Sequence, residues 1–356
     1  MTGSRLSAFA LLIAVGPLAA ATPARQSAGA NPRGRHPAAF DTLFADLARD
    51  SARDIKGVLV TQDDNVVAEA YFNGDDSSTL HDIRSATKSI TALLVGIAID
   101  RHLIENEHES VGTILGLPSL RGIALDNVLT MRSGLDDDDR DTSAAGNEAR
   151  LDQSNDWLRF ASHVPLTSAP GVRHVYSSLN AFLAGAIVER ASHRSLAEFA
   201  NAVLFQPVGI RRFAWQRGPR GEGSGQGNLS ITLRDMGRIG TLALHRGAVG
   251  QHQVVSAGWM DRAFSPLVPI GSVDPYADWY GYMWYQRSYV MAGRPVLVHF
   301  ASGNGGNKIY IVPAERLVVA ISSSAYNTSY GQRRSESTFR RVLGAVIPGR
   351  SEHRIN

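Results

Sequence analysis

Runs with β character stand at both ends of this chain, and helical periodicity fills the stretch between them. Gly57-Val-Leu-Val-Thr61 and Val66-Val-Ala-Glu-Ala-Tyr71 are joined across Asp63-Asp64-Asn65, the pattern of an antiparallel hairpin. Far down the chain, residues 296–300, 308–312 and 317–322 are again β-type, and residues 338–346 form a closing helix. Strand edges must find partners, and these lie at opposite ends of the sequence. The order therefore predicts an α+β fold, an α/β-sandwich. An antiparallel sheet is built from both termini and flanked by helices, with a mainly helical lobe inserted over roughly residues 105–265. No internal repeat competes with that reading.

Between the two β regions, residues 85–102 turn helical, with Ile90, Leu93, Leu94, Ile97 and Ala98 on one face. Ala, Leu and Ile dominate, so this helix is expected to be buried. Residues 157–163, 181–191 and 196–204 read as further helices. Pro170-Gly171 marks a turn before a short β-type run at 172–176. Residues 221–227 form a glycine-rich loop without phosphate-binding spacing, expected to be a flexible connection.

The first residues obey other rules. Arg5 precedes an apolar run at 6–18, and Ala19-Ala20-Ala21 follows as a small-residue cleavage site. Residues 1–21 read as a secretory signal peptide, 22–39 as a flexible leader, and 40–350 as the folded domain. The expected location is periplasmic or secreted, with no stable membrane insertion after cleavage. The chain has no cysteine, which excludes a disulfide framework and a lipoprotein anchor. A net charge of +3 with scattered basic residues gives no footprint for nucleic acid. One feature of that charge is informative: only three of the 36 basic residues are lysines, Lys56, Lys88 and Lys308. Arginine stays protonated in a protein, whereas a buried lysine can lose its proton. Each retained lysine is a candidate for chemistry.

Three elements carry the candidate chemistry. Ser85-Ala-Thr-Lys88 opens the buried helix. Residues i and i+3 share a helix face, so the amine can reach the hydroxyl. A serine needs a neighbouring base to become a nucleophile, and burial would lower the lysine toward that role. The bland alternative is Ser85 as a helix cap beside a solvated Lys88. Tyr176-Ser-Ser178 precedes another helix. Its tyrosine can share protons with a serine–lysine pair, and Ser178 can hydrogen-bond the lysine or the substrate. Ala301-Ser302-Gly303-Asn304 lies between two β runs. A free N–H there, with that of Ser85, would form an oxyanion hole, and glycine would let another group approach the backbone.

In this order and spacing the three elements resemble the serine β-lactamase-like superfamily. It includes class C β-lactamases, penicillin-binding DD-peptidases, family VIII esterases and 6-aminohexanoate-dimer hydrolase-type amidases. Supporting stretches lie at 83–90, 129–135, 229–236 and 309–313. The resemblance implies Ser85 as nucleophile, Lys88 and Tyr176 as general base and acid, and Ser178, Ser302, Gly303 and Asn304 around substrate and oxyanion. The substrate would be a small ester or amide, with no cofactor and no metal. Two departures matter. Ser178 stands where β-lactamases have Asn. Ala301 stands where they have Lys, which removes the cation expected to meet a β-lactam carboxylate; His299 shares its strand face and is a partial substitute. Both favour an esterase or amidase over a β-lactamase or DD-peptidase. A non-catalytic cell-envelope binding protein of the same fold is the alternative of another class.

Other patterns lead elsewhere. There is no G-x-S-x-G elbow and no H-E-x-x-H zinc spacing. The acids at 136–139 lack the spaced glycine loop of a calcium site and are expected to form a solvated loop near the site mouth. Trp279, Tyr280, Tyr282, Trp284 and Tyr285 make an aromatic cluster, either pocket wall or core.

Overall fold

The computed structural model describes residues 37–347. Its main sheet contains eight strands: β1 Ile55–Gln62, β2 Asn65–Tyr71, β3 Val268–Pro269, β4 Trp279–Tyr280, β5 Tyr285–Met291, β6 Arg294–Gly303, β7 Asn307–Val312 and β8 Leu317–Ser323. They are hydrogen-bonded in the order β2-β1-β8-β7-β6-β5-β4-β3, every pair antiparallel. The two termini meet where β1 pairs with β8, with Val58 opposite Ile321 and Val60 opposite Val319. There are five main helices, α1 Pro37–Arg49, α2 Ala86–Asp100, α3 Ser178–Ser192, α4 Leu233–Leu244 and α5 Gly331–Val346; α3 packs on α2 and other helices, and the other four pack on the sheet.

Strands β7 and β8 are buried at every position, because helices cover both faces. On one face α4 lies so close that a side chain added at Gly237 or Gly240 would meet Leu59 or Val318 at 2.4 Å. On the other, Phe339 of α5 stacks on Tyr310, with ring centres 3.8 Å apart. Ile309 beside Gly240 and Tyr310 beside Phe339 are neighbours in β7, and side chains alternate along a strand. Stacked sheet and helices thus form the α+β architecture expected from the sequence. Helix α2 is buried throughout residues 86–98 and packs on α3. A buried helix needs apolar residues on all sides rather than one stripe, and α2 has them.

Some expectations change. Residues 172–176 are not a strand: they run beside residues 130–131, tied by Val175 N–H to Met131 O (2.9 Å) and by His174 Nδ1 to Thr130 O (3.1 Å), with no neighbouring strand to pair with. The helix at Leu196–Ala200 continues as a π-helical turn, Asn201–Phe205. Helix α4, within the stretch assigned to the helical lobe, packs on the sheet itself. Helix α1 begins at Pro37, inside the stretch assigned to a leader. The signal peptide and the rest of that leader lie outside the described residues.

Candidate active site

Ser85 sits at the junction between a strained turn and α2. Arg84 before it takes a φ of 52°, the left-handed region that a non-glycine residue enters at a cost of about 1 kcal/mol. Its N–H donates to Asp82 Oδ1 at 2.8 Å, which helps hold the turn. Ser85 precedes the first helical residue but makes no capping bond with its side chain. Its hydroxyl is bound by Lys88 Nζ at 3.0 Å, the i to i+3 reach that the sequence spacing offers.

Lys88 is 2% exposed, and its ammonium is fully occupied. The three protons go to Ser85 Oγ, to Ser178 Oγ at 3.0 Å and to the Gln226 carbonyl at 2.8 Å. An ammonium has three donors, and each has an acceptor here. Ser178 in turn donates to Glu148 Oε1 at 2.8 Å, and its N–H donates to Asp139 Oδ2 at 2.7 Å. Tyr176 completes the group, with its ring centre 5.2 Å from Nζ. This environment corrects the expectation for Lys88. Burial pushes the amine down, but Tyr176, Glu148 and Asp139 together outweigh it and hold the amine above the usual lysine value. The resting lysine carries its charge.

The site includes residues that the sequence did not single out. Gln226 belongs to the glycine-rich loop read as a flexible connection. Residues 222–227 are instead buried, and Gly225 O accepts from Thr91 of α2 at 2.7 Å. The acids at 136–139 stand at the site as expected, but they are not evenly solvated. Asp137 is buried beneath donors from Ser133, Ser177 and Asn180, and burial raises its carboxyl to about 7. Asp139 lines the site, with its carboxyl raised to about 6 by burial. Glu148 stood out by no signal in the sequence.

The third element reaches the site along a strand edge. Strand β6 pairs with β5 only as far as Phe300, opposite Tyr285, while its pairing with β7 continues to Gly303. Residues 301–303 therefore present an edge that β5 does not cover. At Gly303 an added Cβ would meet Ile83 O at 2.0 Å and Ala86 N at 3.2 Å. Only glycine lets this edge press against the start of α2, beside Ser85. Among the described residues the Ser85 N–H has no acceptor, so it is available to an oxyanion. Asn304 also lines the cavity, with its side-chain amide donating to Asn327 Oδ1 at 2.7 Å.

His299 does not replace the cation missing at Ala301. It lies flat on Phe264, ring centres 4.2 Å apart, and burial lowers its imidazole to about 4, so it stays neutral. Ala301 shares that strand face and is fully buried. Ser302 lies on the other face, directly opposite Lys308 in β7, and accepts from Lys308 Nζ at 2.7 Å. Lysine scarcity was the signal for Lys308.

Ser85, Tyr176, Ser302, Gly303, Asn304 and Lys308 line one cavity of about 470 Å³, large enough for a small organic substrate. The aromatic cluster divides. Tyr285 lines this cavity with Phe300, whereas Tyr280, Tyr282 and Trp284 are core. Among the described residues no group of His, Cys, Asp or Glu is arranged to hold a metal, and no helix is long and apolar enough to cross a membrane.

Comparison with known proteins agrees with this geometry. The family model described as Beta-lactamase matches residues 40–343. The 6-aminohexanoate-dimer hydrolase of Paenarthrobacter ureafaciens is 27% identical over 223 residues, covering 58% of this chain and 56% of that protein. The chain thus aligns with little more than half the length of this relative. Among solved structures, the penicillin binding protein from Bacillus halodurans superposes with a TM-score of 0.65 at 18% identity, over 84% of this chain and 98% of that one. The octameric penicillin-binding protein homologue from Pyrococcus abyssi gives 0.62 at 17% identity, over 85% and 76%. These likenesses are of fold. The match over residues 40–343 is of sequence, and by it the chain belongs to the Beta-lactamase family of hydrolases.

Proposed function

We propose that this protein is a serine hydrolase that cleaves esters or amides of small carboxylic acids through an acyl-enzyme on Ser85. The observation that carries the reading is the buried Lys88 ammonium, 3.0 Å from a Ser85 hydroxyl that serves no capping role. In the first half-reaction Ser85 Oγ bonds to the substrate carbonyl carbon. The charged Lys88 stabilises the alkoxide character that develops, while Tyr176 relays the proton: its phenol oxygen accepts the serine proton as its own O–H proton passes to the departing alcohol or amine. The Ser85 N–H and the strand edge at Ser302–Gly303 receive the oxyanion. In the second half-reaction water adds to the ester carbon, its proton is relayed through Tyr176 to the departing Ser85 Oγ, and the acid is released. A charged Lys88 divides the roles: it acts as an electrostatic partner, and Tyr176 moves the proton.

The relative that acts on 6-aminohexanoate dimer supports the amide branch, and the absence of lysine at 301 supports a substrate other than penicillin. The test is labelling by a fluorophosphonate probe, with a panel of p-nitrophenyl esters of graded chain length run beside nitrocefin. Labelling and ester turnover that vanish in Ser85→Ala are expected. Unchanged labelling of that variant overturns the reading, and nitrocefin turnover in preference to every ester moves it to the penicillin-recognising branch. We also propose export, on the strength of residues 1–21. The mature N-terminus, sequenced from a periplasmic or culture-medium fraction, should begin after that segment, and an intact Met1 there would refute it.

A further inference from the structure

The cavity holds a second serine–lysine pair whose ammonium makes no ion pair among the described residues. Four basic side chains line the cavity. Arg84 is paired with Asp82 at 3.2 Å, and Arg140 with Asp138 at 3.3 Å. His174 is kept neutral, chiefly by burial. Lys308 differs. It is 2% exposed and makes no ion pair among the described residues, and its one hydrogen-bonding partner is Ser302 Oγ at 2.7 Å. The rings of Phe300 and Tyr310 lie 4.8 and 5.9 Å from Nζ, which hold a cation without neutralising it. Two acids influence it without forming an ion pair with it: Glu336, which is shared with other partners, and Asp274, which lines the same cavity. Glu336 accepts from Tyr289 at 2.8 Å and Arg340 at 2.9 Å, and Asp274 accepts from the Tyr276 N–H at 2.7 Å.

A buried ammonium with two unused protons and no anion bonded to it is unfavourable on its own, and a matching anion relieves it. Burial already lowers this amine to about 8. The surroundings favour an anion as well. Gln332, in the first turn of α5, accepts from Ser302 at 3.3 Å, so the positive end of that helix faces the same corner. The corner adjoins the reacting centre, since Ser302 precedes Gly303, whose backbone touches the start of α2.

We propose that Lys308 sets the specificity of this cavity: with Ser302 it receives a carboxylate that the substrate carries close to its scissile bond. The assignment rests on the reading of Ser85 as nucleophile, and it places the cation on β7, one strand over from the position where β-lactamases carry theirs.

Two pairs of esters test it. In the acyl arm, p-nitrophenyl butanoate is compared with the mono-p-nitrophenyl ester of glutaric acid. In the leaving-group arm, phenyl butanoate is compared with its meta-carboxyphenyl counterpart. The carboxylated member of one arm should be preferred in kcat/KM by about tenfold or more. Lys308→Met should erase that preference, and Lys308→Arg should keep part of it. No preference in either arm of the native enzyme, or a preference that survives Lys308→Met, overturns the proposal. Calorimetry with Ser85→Ala separates this from failure of the nucleophile reading. That variant should bind glutarate but not glutaramide, and absence of glutarate binding also overturns the proposal. Ester turnover by Ser85→Ala would instead strike at the nucleophile.

Discussion

Two serine–lysine pairs meet one cavity, the first through Ser85 alone and the second through both residues, and their surroundings make them opposites. Lys88 and Lys308 are both 2% exposed, and each bonds a serine hydroxyl within 3.0 Å. Lys88 has three acceptors with Tyr176, Glu148 and Asp139 near, and it stands above the ordinary lysine value. Lys308 has one acceptor and aromatic neighbours, and it falls to about 8. Burial alone therefore does not decide the state of a lysine; the phenol and carboxylates beside it do. On our account the first pair is built to react and the second to recognise.

The largest effects come from breaking the first pair. Ser85→Ala should reduce ester kcat/KM by on the order of 10⁴-fold or more, and Lys88→Arg by about 10³-fold, because the bulkier fork cannot occupy a site made for three bonds to one nitrogen. A Lys88→Arg enzyme with native activity would show that only charge matters there. The next effect comes from separating the pairs. Gly303→Ala would drive a methyl group into Ile83 O and push the strand edge from Ser85. Turnover should fall about 10²-fold through lost alignment while the protein remains folded. Native kinetics in that variant would refute a role for the edge.

A smaller change removes what distinguishes the pairs. Glu148→Gln takes away one of the charges that hold Lys88 up, so burial regains ground and the amine loses its proton at lower pH. If the charged form is the active one, the alkaline limb of the pH–rate profile should move to lower pH. An unmoved limb would mean that the carboxylates do not set the Lys88 charge.

The smallest effect concerns stability behind the second pair. His299 is lowered to about 4 by burial, against about 6.5 for a free imidazole. The folded state resists protonation that the unfolded chain accepts. This contribution is whole above about pH 6.5 and is lost as pH falls toward 4, in all roughly 3 kcal/mol. In urea unfolding at a series of pH values, His299→Leu should lack that part of the acid loss. Parallel pH curves for the two proteins would contradict the burial argument.

Much of the architecture could be read in the sequence because the signals were local. The apolar run of α2, the hairpin at β1 and β2 and the closing strands each declare themselves through their own side chains. The strand expected at 172–176 failed because pairing depends on a distant partner, and here residues 130–131 supply single bonds rather than a ladder. At the site, Ser85, Lys88, Tyr176 and Ser178 come together as their spacing suggested. Glu148, Asp139 and Gln226 were hidden because their role depends on three distant segments converging on one ammonium. Lys308 was half visible: its rarity marked it, but only the register of β6 against β7 puts it opposite Ser302.

The central claim is that Ser85, and not the serine of the other pair, forms the covalent bond. Brief exposure to a fluorophosphonate, followed by intact mass and peptide mapping, reads this directly. We expect one adduct per chain, on Ser85, and none in Ser85→Ala. An adduct on Ser302 or Ser178, or one that persists without the Ser85 hydroxyl, would contradict the account.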